Sequence, residues 1–134
     1  MLALIIIVYR PITLKELTSL VEIHEDMADD LESLWEIIQD YGSFLTVREG
    51  TIYFLHQSAK DYLLTKAFDE IFPSGSRETH YVIFSRSLQV MSTTLRRDIY
   101  RLRTLGYPIE RVELLDPDPL AASQYLCIYW VDHL

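Results

Sequence analysis

Apolar side chains near the N-terminus recur at the spacing of an amphipathic helix. The residues that set this period are Leu14, Leu17, Leu20 and Val21. Immediately before them, Thr13 and Glu16 have the spacing of a capping box. In such a box the Thr13 hydroxyl accepts from the Glu16 backbone N–H, and the Glu16 carboxylate reaches back to the helix start. The sequence therefore predicts a helix that begins directly after Thr13.

A second helix is predicted after an acidic, polar connection. Its apolar stripe consists of Leu31, Leu34, Trp35 and Ile38. Asp29 or Asp30 suits the first position, because a carboxylate caps the free N–H groups and faces the positive end of the helix dipole. Gly42 is placed to end this helix in a left-handed conformation.

The apolar period then shortens from 3.6 residues to two, as in a β-strand. Residues 44–47 and 51–55 are rich in β-branched and aromatic side chains. Residues 48–50 between them can turn the chain, with Gly50 at positive φ, so a β-hairpin is predicted. A helix over about residues 57–70 follows. One side of that helix carries Ala59, Tyr62, Leu63 and Ala67.

The rest of the chain has helical patterns separated by proline and glycine breaks. A helix is predicted from about residue 77 into the nineties, with an apolar face of Tyr81, Phe84, Leu88 and Met91. A shorter predicted helix carries Leu95, Ile99 and Leu102. The last one, over residues 120–134, is expected to turn inward Tyr125, Ile128 and Tyr129.

The predicted fold class is mainly α with a small β-hairpin. Helix, acidic connection, helix and two-stranded hairpin is the element order of a winged helix, which we assign to residues 1–72. Residues 73–134 form a predicted all-helical extension. The extension stops without a cap, so we expect it to be truncated at its C-terminal end.

The first eight residues are all apolar, and they are predicted to be a buried strand or the cut end of a buried helix. Arg10 and Pro11 end this run well short of the roughly 20 apolar residues that a spanning helix needs. The charge before it and the cleavage site after it that a signal peptide would need are both missing from the sequence. We therefore expect no membrane association, a cytoplasmic location and a natural neighbour upstream of Met1.

Composition excludes several classes of protein. Of 134 residues, 49% are hydrophobic, as is ordinary for a globular domain, and the single cysteine, Cys127, can form no internal disulfide. The four glycines are too scattered for a P-loop or a dinucleotide-binding loop. They are Gly42, Gly50, Gly75 and Gly106. We expect the chain not to be an enzyme and to hold no cofactor on its own.

The net charge of −8 is unevenly distributed. Residues 1–50 carry ten acids and three bases, whereas residues 51–134 carry ten acids and nine bases. Residues 22–40, which include the helix in the DNA-recognition position, have eight acids and no base. Because contacts from Lys and Arg to phosphates dominate nucleic-acid affinity, DNA binding is disfavoured. The best basic cluster is interpreted as a solvated helix face or a set of partner contacts. It consists of Arg96, Arg97, Arg101 and Arg103.

Other chemically capable side chains do not predict a catalytic or metal site. His56, Ser58 and Asp61 are the residue types of a nucleophilic triad, but offsets of two and five residues on one helix point them apart. The polar connection could bring His24, Asp26 and Asp30 to a metal ion, yet these residues lack the paired spacing of a metal site.

Three further residues are expected to be structural. His80 and His133 fall in predicted helices and are interpreted as half-buried packing or surface residues. Cys127 lies in an apolar helix, where a thiol is ordinarily an inert core group.

The sequence resembles the region directly after the NTPase core in fungal NACHT-domain proteins. These are STAND-class, NOD-like receptors related to heterokaryon-incompatibility proteins. The resemblance lies in YRPITLKEL at residues 9–17, FLHQSAKDYLL at residues 54–64 and YLCIYWVDHL at residues 125–134. The last stretch is similar to the start of the helical segment that precedes ankyrin or similar repeats. The resemblance covers nearly the whole chain, and HQSAKDYL is its most specific part.

The resemblance implies a winged helix that closes onto a nucleotide held by an upstream P-loop ATPase. In the family, a histidine at this position touches the β-phosphate of ADP and helps to hold the off state, and His56 is the matching residue. It aligns with the histidine of the Met-His-Asp motif of plant relatives, whose flanking positions are Leu55 and Gln57 here. The implied ligands of the parent protein are ADP or ATP with Mg. The implied partners are the upstream ATPase core and the downstream helical or repeat region in cis, with self-association as a further expectation.

The function expected is a non-catalytic regulatory module that relays nucleotide state to downstream repeats in non-self recognition or cell-death signalling. His56 is predicted at the start of a helix, where free N–H groups and a partial positive charge suit a phosphate. One histidine cannot hold a nucleotide, so residues 1–134 alone are expected neither to hydrolyse ATP nor to bind ADP. The alternatives are a free-standing adaptor that binds through exposed apolar surface and, less favoured, a nucleic-acid-binding winged helix.

Overall fold

The computed structural model of the chain describes residues 1–21 and 31–134, and side chains from residue 34 onward in the second range. Its elements in chain order are α1 (Leu2–Ile7), β1 (Ile12–Thr13), α2 (Leu14–Leu20), α3 (Leu31–Asp40), β2 (Leu45–Arg48), β3 (Thr51–Phe54), α4 (Gln57–Thr65), α5 (Phe68–Ile71), α6 (Ser76–Thr94) and α7 (Gln124–Tyr129). Short 3₁₀ turns cover Ile109–Arg111 and Trp130–His133. The predicted fold class, mainly α with a small β-hairpin, is confirmed.

The strands form an antiparallel sheet in the order β1-β3-β2. Ile52 in the central strand is paired with Ile12 on one side and with Val47 on the other. The predicted hairpin between β2 and β3 is confirmed, and its two-residue turn has φ of 51° at Glu49 and 75° at Gly50. Positive φ at both positions matches the right-handed twist of the strands that the turn joins. The two-residue strand β1 is an addition that the apolar pattern did not predict.

The first two helices show which conformation the N-terminal apolar run adopts and confirm the capping box predicted for α2. The apolar run at the N-terminus is helical rather than extended, and α1 buries Ile5 and Ile6. At the start of α2 the predicted capping box is present. The Glu16 N–H donates to Thr13 Oγ1 at 3.1 Å, and the Thr13 N–H donates to Glu16 Oε2 at 2.9 Å. The predicted start of the next helix at Asp29 or Asp30 lies outside the described residues.

One hydrophobic cluster extends through both halves of the chain. Its buried members are Ile5, Val8, Ile12, Leu17, Leu20, Leu34, Ile38, Leu45, Ile52, Ile83, Tyr125 and Leu126. Helix α6 supplies Ile83, and α7 supplies Tyr125 and Leu126, so the elements after residue 73 pack directly on the first half. The division into residues 1–72 and 73–134 stays a prediction, and the cluster crosses that boundary.

Helix α6 buries a different face from the one predicted. Ile83 and Ser87 are buried, whereas Tyr81 and Leu88 are exposed. Apolar residues occur on several sides of this helix, so the period alone allowed more than one buried face. The Ser87 hydroxyl donates to the Ile83 carbonyl at 2.6 Å, which lets a polar residue occupy the core side.

The predicted helix through Leu95, Ile99 and Leu102 is wrong. Residues 95–104 contain no helix. The Asp98 carboxylate instead accepts from the backbone N–H groups of Leu102 and Arg103 at 2.6 and 3.0 Å. Such local bonds from an aspartate compete with the helical ladder. The expected helix face formed by the nearby arginines is therefore absent from this part of the structure.

Four other predictions about helices need correction. The helix expected over residues 57–70 breaks between α4 and α5, and the last helix is shortened to α7 and a 3₁₀ turn. Trp35 and Ile128, expected to face inward, are exposed. Gly42 does not have positive φ. Its N–H donates to the Gln39 carbonyl at 2.9 Å in a tight turn, and an added Cβ would come within 2.9 Å of that oxygen.

Among the described residues, Glu16 is the buried side chain with the most hydrogen bonds, and only 2% of its surface is exposed. Arg10 donates from Nη1 to Oε2 at 3.1 Å and from Nη2 to Oε1 at 2.6 Å. The backbone N–H of Tyr125 donates to Oε1 at 3.1 Å, in addition to the capping bond from Thr13. Burial raises the pKa of the Glu16 carboxyl, but these donors outweigh burial and hold it below its ordinary value.

Replacing Glu16 by alanine is expected to lower the free energy of unfolding by about 3 kcal/mol. The substitution leaves the Arg10 guanidinium and the backbone N–H of Tyr125 without their acceptor. Chemical denaturation measures the change, and Glu36→Ala on the exposed side of α3 is the control, expected within about 0.5 kcal/mol of the parent. A loss below about 1 kcal/mol in Glu16→Ala would contradict the central position given to this carboxylate.

Candidate functional site

His56 lies between the end of β3 and the start of α4, at the type of junction predicted for it. Its backbone is extended, with φ of −144° and ψ of 148°, and it occupies the N-cap position of α4. The imidazole makes no capping hydrogen bond to the described backbone, and the residue is exposed. The ring is therefore free to meet a group outside the described part of the chain.

His56, Ser58 and Asp61 do not form a catalytic triad. Asp61 accepts from Gln57 Nε2 at 3.2 Å rather than from the histidine. Ser58 and His56 are both exposed, and among the described hydrogen bonds none links these residues to each other or to Asp61. This arrangement offers a binding group but no activated nucleophile.

Two hollows lie beside the junction. The first has a volume of about 260 Å³, and its polar lining includes Arg10, Tyr53, Gln57 and Lys60. The second, of about 510 Å³, runs along the hairpin. Its lining consists of Thr46, Arg48, Glu49, Tyr53, Phe54 and Leu55.

The charges beside the junction favour an anion without enclosing one. Lys60 lies one helical turn after His56, and its Nζ is 5.8 Å from the centre of the Phe54 ring. Arg10 is already paired with Glu16, whereas Lys60, which also lines the first hollow, forms no ion pair with any described residue. An imidazole, an ammonium and the N-terminus of α4 can together meet a phosphate group. These three groups do not form an enclosed pocket for a whole nucleotide.

The described residues contain no group of three or more His, Cys, Asp or Glu side chains that could hold a metal ion. The weak metal candidates His24, Asp26 and Asp30 lie outside the described residues. Within the same part of the chain, no helix is long and apolar enough to cross a membrane. Cys127 is half-buried, and burial raises the pKa of its thiol, which keeps it protonated.

A polar cluster with a buried centre joins the two ends of the chain, and the sequence did not predict it. The Tyr125 hydroxyl accepts from the Tyr9 N–H at 3.1 Å and lies 2.8 Å from His133 Nε2. On the other side of the imidazole, His133 Nδ1 lies 2.8 Å from Nδ1 of His80. The Tyr9 hydroxyl donates to the Asp132 carbonyl at 2.7 Å. We call Tyr9, His80, Tyr125 and His133 the tyrosine–histidine cluster.

His133 was expected to be a half-buried or surface residue, and it is instead buried. No local pattern marks the cluster, because its members come from the turn after α1, from α6 and from the last ten residues. His80 and His133 are 53 positions apart in the sequence. Only the tertiary packing of α6 against the C-terminal turn brings them together.

Burial and neighbouring charge change the pKa of two members of this cluster, His133 and Tyr125. Burial, helped by the charge of His80 and opposed by Asp132, lowers the pKa of His133 to about 4. Burial raises the pKa of Tyr125 to about 12. The short distance between the two Nδ1 atoms leaves room for one proton between the imidazoles, so double protonation would break the contact.

Comparison with known proteins connects the chain with fungal vegetative incompatibility. A matching protein is HET-E-1 of Podospora anserina, a vegetative incompatibility protein that is 52% identical to the chain over 145 residues. The match covers 99% of this chain and 11% of HET-E-1, so the chain spans about a ninth of the length of that relative. This similarity supports the resemblance to heterokaryon-incompatibility proteins. No family model matches the chain, and no solved structure matches it.

Acidification is expected to destabilise the fold as the pH falls from 6.5 toward 4. The unfolded chain has an ordinary histidine pKa of 6.5 at His133, whereas the folded chain has one of about 4. Between these values the unfolded state binds more protons than the folded state. The free energy of unfolding therefore falls by about 3 kcal/mol between pH 6.5 and pH 4.

Urea unfolding across this pH interval measures the loss. His133→Gln removes the titrating group and keeps a neutral hydrogen-bonding side chain, so the variant should lose clearly less stability than the parent on acidification. His56→Gln, at an exposed histidine, should behave as the parent does. Parallel pH curves for the parent and His133→Gln would contradict the assignment.

Proposed function

We propose that the chain is a regulatory winged-helix and helical segment of a larger NACHT-type signalling ATPase, which acts in fungal non-self recognition or cell-death signalling. The observation that carries this proposal is that His56, at the start of α4, is exposed and its side chain makes no capping hydrogen bond. It lies within HQSAKDYL, the most specific stretch of the resemblance. The 52% identity to a vegetative incompatibility protein supports the same class.

The topology supports the winged-helix part of the proposal. Three helices and three strands follow one another as α1, β1, α2, α3, β2 and β3, with the sheet order β1-β3-β2. In this arrangement the hairpin β2–β3 is the wing, and α3 occupies the recognition position. The exposed part of α3 presents Glu36 and Asp40, and carboxylates there repel a nucleic-acid backbone. The winged helix is therefore proposed as a module that meets protein and nucleotide rather than DNA.

His56 is proposed to donate a hydrogen bond to the β-phosphate of ADP held by an ATPase core in the same protein. An N–H from an imidazole and the positive end of α4 both favour a negative group at this place. Nearby exposed apolar residues, Tyr53 and Leu55, give the core a surface to cover when it closes. Loss of the nucleotide contact would then release this surface.

The packing provides a route for relaying that release. Helices α6 and α7 share the hydrophobic cluster of α1, α2 and the sheet. The tyrosine–histidine cluster and the bond from the Tyr125 N–H to Glu16 also tie the last ten residues to the first sixteen. A movement of the winged helix is therefore passed to the C-terminal segment, and from there to the proposed repeat region. In this account the chain is a partner of the ATPase in cis and performs no catalysis.

A second function, that of a free-standing interaction adaptor, is favoured by one observation. Several large apolar side chains between α6 and α7 lie in solvent. Under either of the two functions, a partner protein would bind this exposed apolar surface. Nucleotide dependence separates the two functions, because an adaptor needs no ATPase.

In a protein that joins the ATPase core to this segment, His56→Ala is expected to speed the release of ADP. Loss of one charge-assisted hydrogen bond, worth about 1.5 to 3 kcal/mol, corresponds to roughly tenfold to hundredfold faster dissociation. The dissociation rate of a fluorescent ADP, followed by stopped flow, measures the change. Ser58→Ala on the same exposed helix turn is the matched control and should leave the rate unchanged.

An unchanged rate in His56→Ala would remove the role proposed for this residue. Calorimetry on the 134-residue chain alone provides a second control. It should show no ADP binding, because the remaining phosphate contacts belong to the ATPase. Micromolar affinity in the isolated chain would contradict the division of roles.

A further inference from the structure

We propose that the segment between α6 and α7 binds the outer face of helix α3 in a second copy of this chain. The segment covers residues 95–115 and is called the arginine segment below. The proposal goes beyond the nucleotide-dependent role, since neither surface belongs to the His56 junction.

The arginine segment exposes apolar side chains to an unusual degree. Leu105, Ile109 and Leu114 are 104%, 81% and 83% exposed. Its regular structure is limited to the 3₁₀ turn at Ile109–Arg111. Large aliphatic groups in full contact with water are unfavourable in the isolated chain, and covering them favours association.

The charge of the segment is opposite to that of the rest of the chain. It has three acids, at residues 98, 110 and 113, against five bases. The bases are Arg96, Arg97, Arg101, Arg103 and Arg111, and all are exposed. The described ion pair of the chain is Arg10–Glu16, and these arginines form no ion pair with any described residue. The positive segment therefore remains available to an acidic surface.

The backbone of the segment holds its arginines outward at a conformational cost. Asp98, Arg101 and Arg103 have φ of 55°, 58° and 67°, a region that favours glycine. Two backbone bonds to the Asp98 carboxylate maintain this conformation, and Asp98 is thereby largely committed to the loop. Strained backbone of this kind is concentrated at binding sites.

Helix α3 supplies the matching surface. Its inward side is Leu34 and Ile38, and its exposed side includes Trp35, Glu36 and Asp40. Residues 31–40 contain three acids and no Lys or Arg, so every charged residue of α3 is acidic. Arginine pairs with carboxylates and stacks on the face of tryptophan.

The mixture of groups indicates a protein partner rather than a nucleic acid. A nucleic acid would satisfy the arginines but would leave the exposed aliphatic side chains uncovered, whereas an aromatic and acidic helix face satisfies both. The two surfaces differ, so the contact is head-to-tail, and each copy can bind one neighbour on either side. Association should grow with protein concentration and weaken with salt.

Sedimentation velocity with charge-reversed variants tests the proposal. The parent chain should associate at low salt and dissociate at high salt. The double variants Arg101→Glu with Arg103→Glu, and Glu36→Arg with Asp40→Arg, should each raise the dissociation constant at least about tenfold. An equal mixture of the two variants should associate again, because opposite charges then face each other across the contact. Circular dichroism verifies that each variant keeps its helices.

A matched control reverses two exposed bases elsewhere, Lys66→Glu with Arg77→Glu, and should associate like the parent. Three results would overturn the proposal. They are a parent chain that stays monomeric at low salt and high concentration, a mixture of the variants that fails to associate, and equal weakening by the control. A monomeric parent that binds duplex DNA through Arg101 and Arg103 would also overturn it and assign the segment to nucleic acid.

Discussion

The buried carboxylate of Glu16 is the interaction on which the arrangement of the chain most depends. A buried charge is costly unless it is paired and fully hydrogen-bonded, and here it accepts four hydrogen bonds from Arg10, Thr13 and Tyr125. Those donors belong to the turn after α1, the cap of α2 and the start of α7. One carboxylate therefore sets the start of a helix, the path of the N-terminal turn and the position of the C-terminal helix. Arg10 adds a cation–π contact, with its guanidinium carbon 5.4 Å from the centre of the Tyr125 ring.

This constraint has a functional consequence. The same carboxylate and the tyrosine–histidine cluster bind both ends of the chain. The N-terminal helices, the sheet and the C-terminal helices therefore share one interior. Three surface regions carry exposed groups that do not pack in this interior. They are the His56 junction, the hairpin surface and the arginine segment. In the proposed function, such a shared interior would transmit movement as a unit, and the separate exposed surfaces would meet the proposed partners.

The sequence predicted the features that local chemistry determines. Thr13 and Glu16 are three residues apart, and Gly50 directly precedes a strand, so short patterns in the sequence predicted both the capping box and the hairpin. The buried face of α6 was not, since apolar residues surround that helix and the choice depends on α1 and α2. The helix expected around Ile99 failed because the Asp98 carboxylate captures backbone N–H groups. The position of His56 was predictable from its neighbours, and its phosphate role stays a prediction. The burial of His133 depends on residues 53 and 124 positions away, His80 and Tyr9, which no local pattern connects.

If His56 contacts the nucleotide as proposed, the surface around it responds to nucleotide state when an ATPase core is present. Hydrogen–deuterium exchange on a protein containing that core and this segment, with ADP and then with a non-hydrolysable ATP analogue, tests it most directly. The amides of β3 and of the first turn of α4 are expected to exchange at least about tenfold more slowly with ADP, while those at the centre of α6 are unchanged. Equal exchange at the junction with both nucleotides would contradict a nucleotide contact at His56.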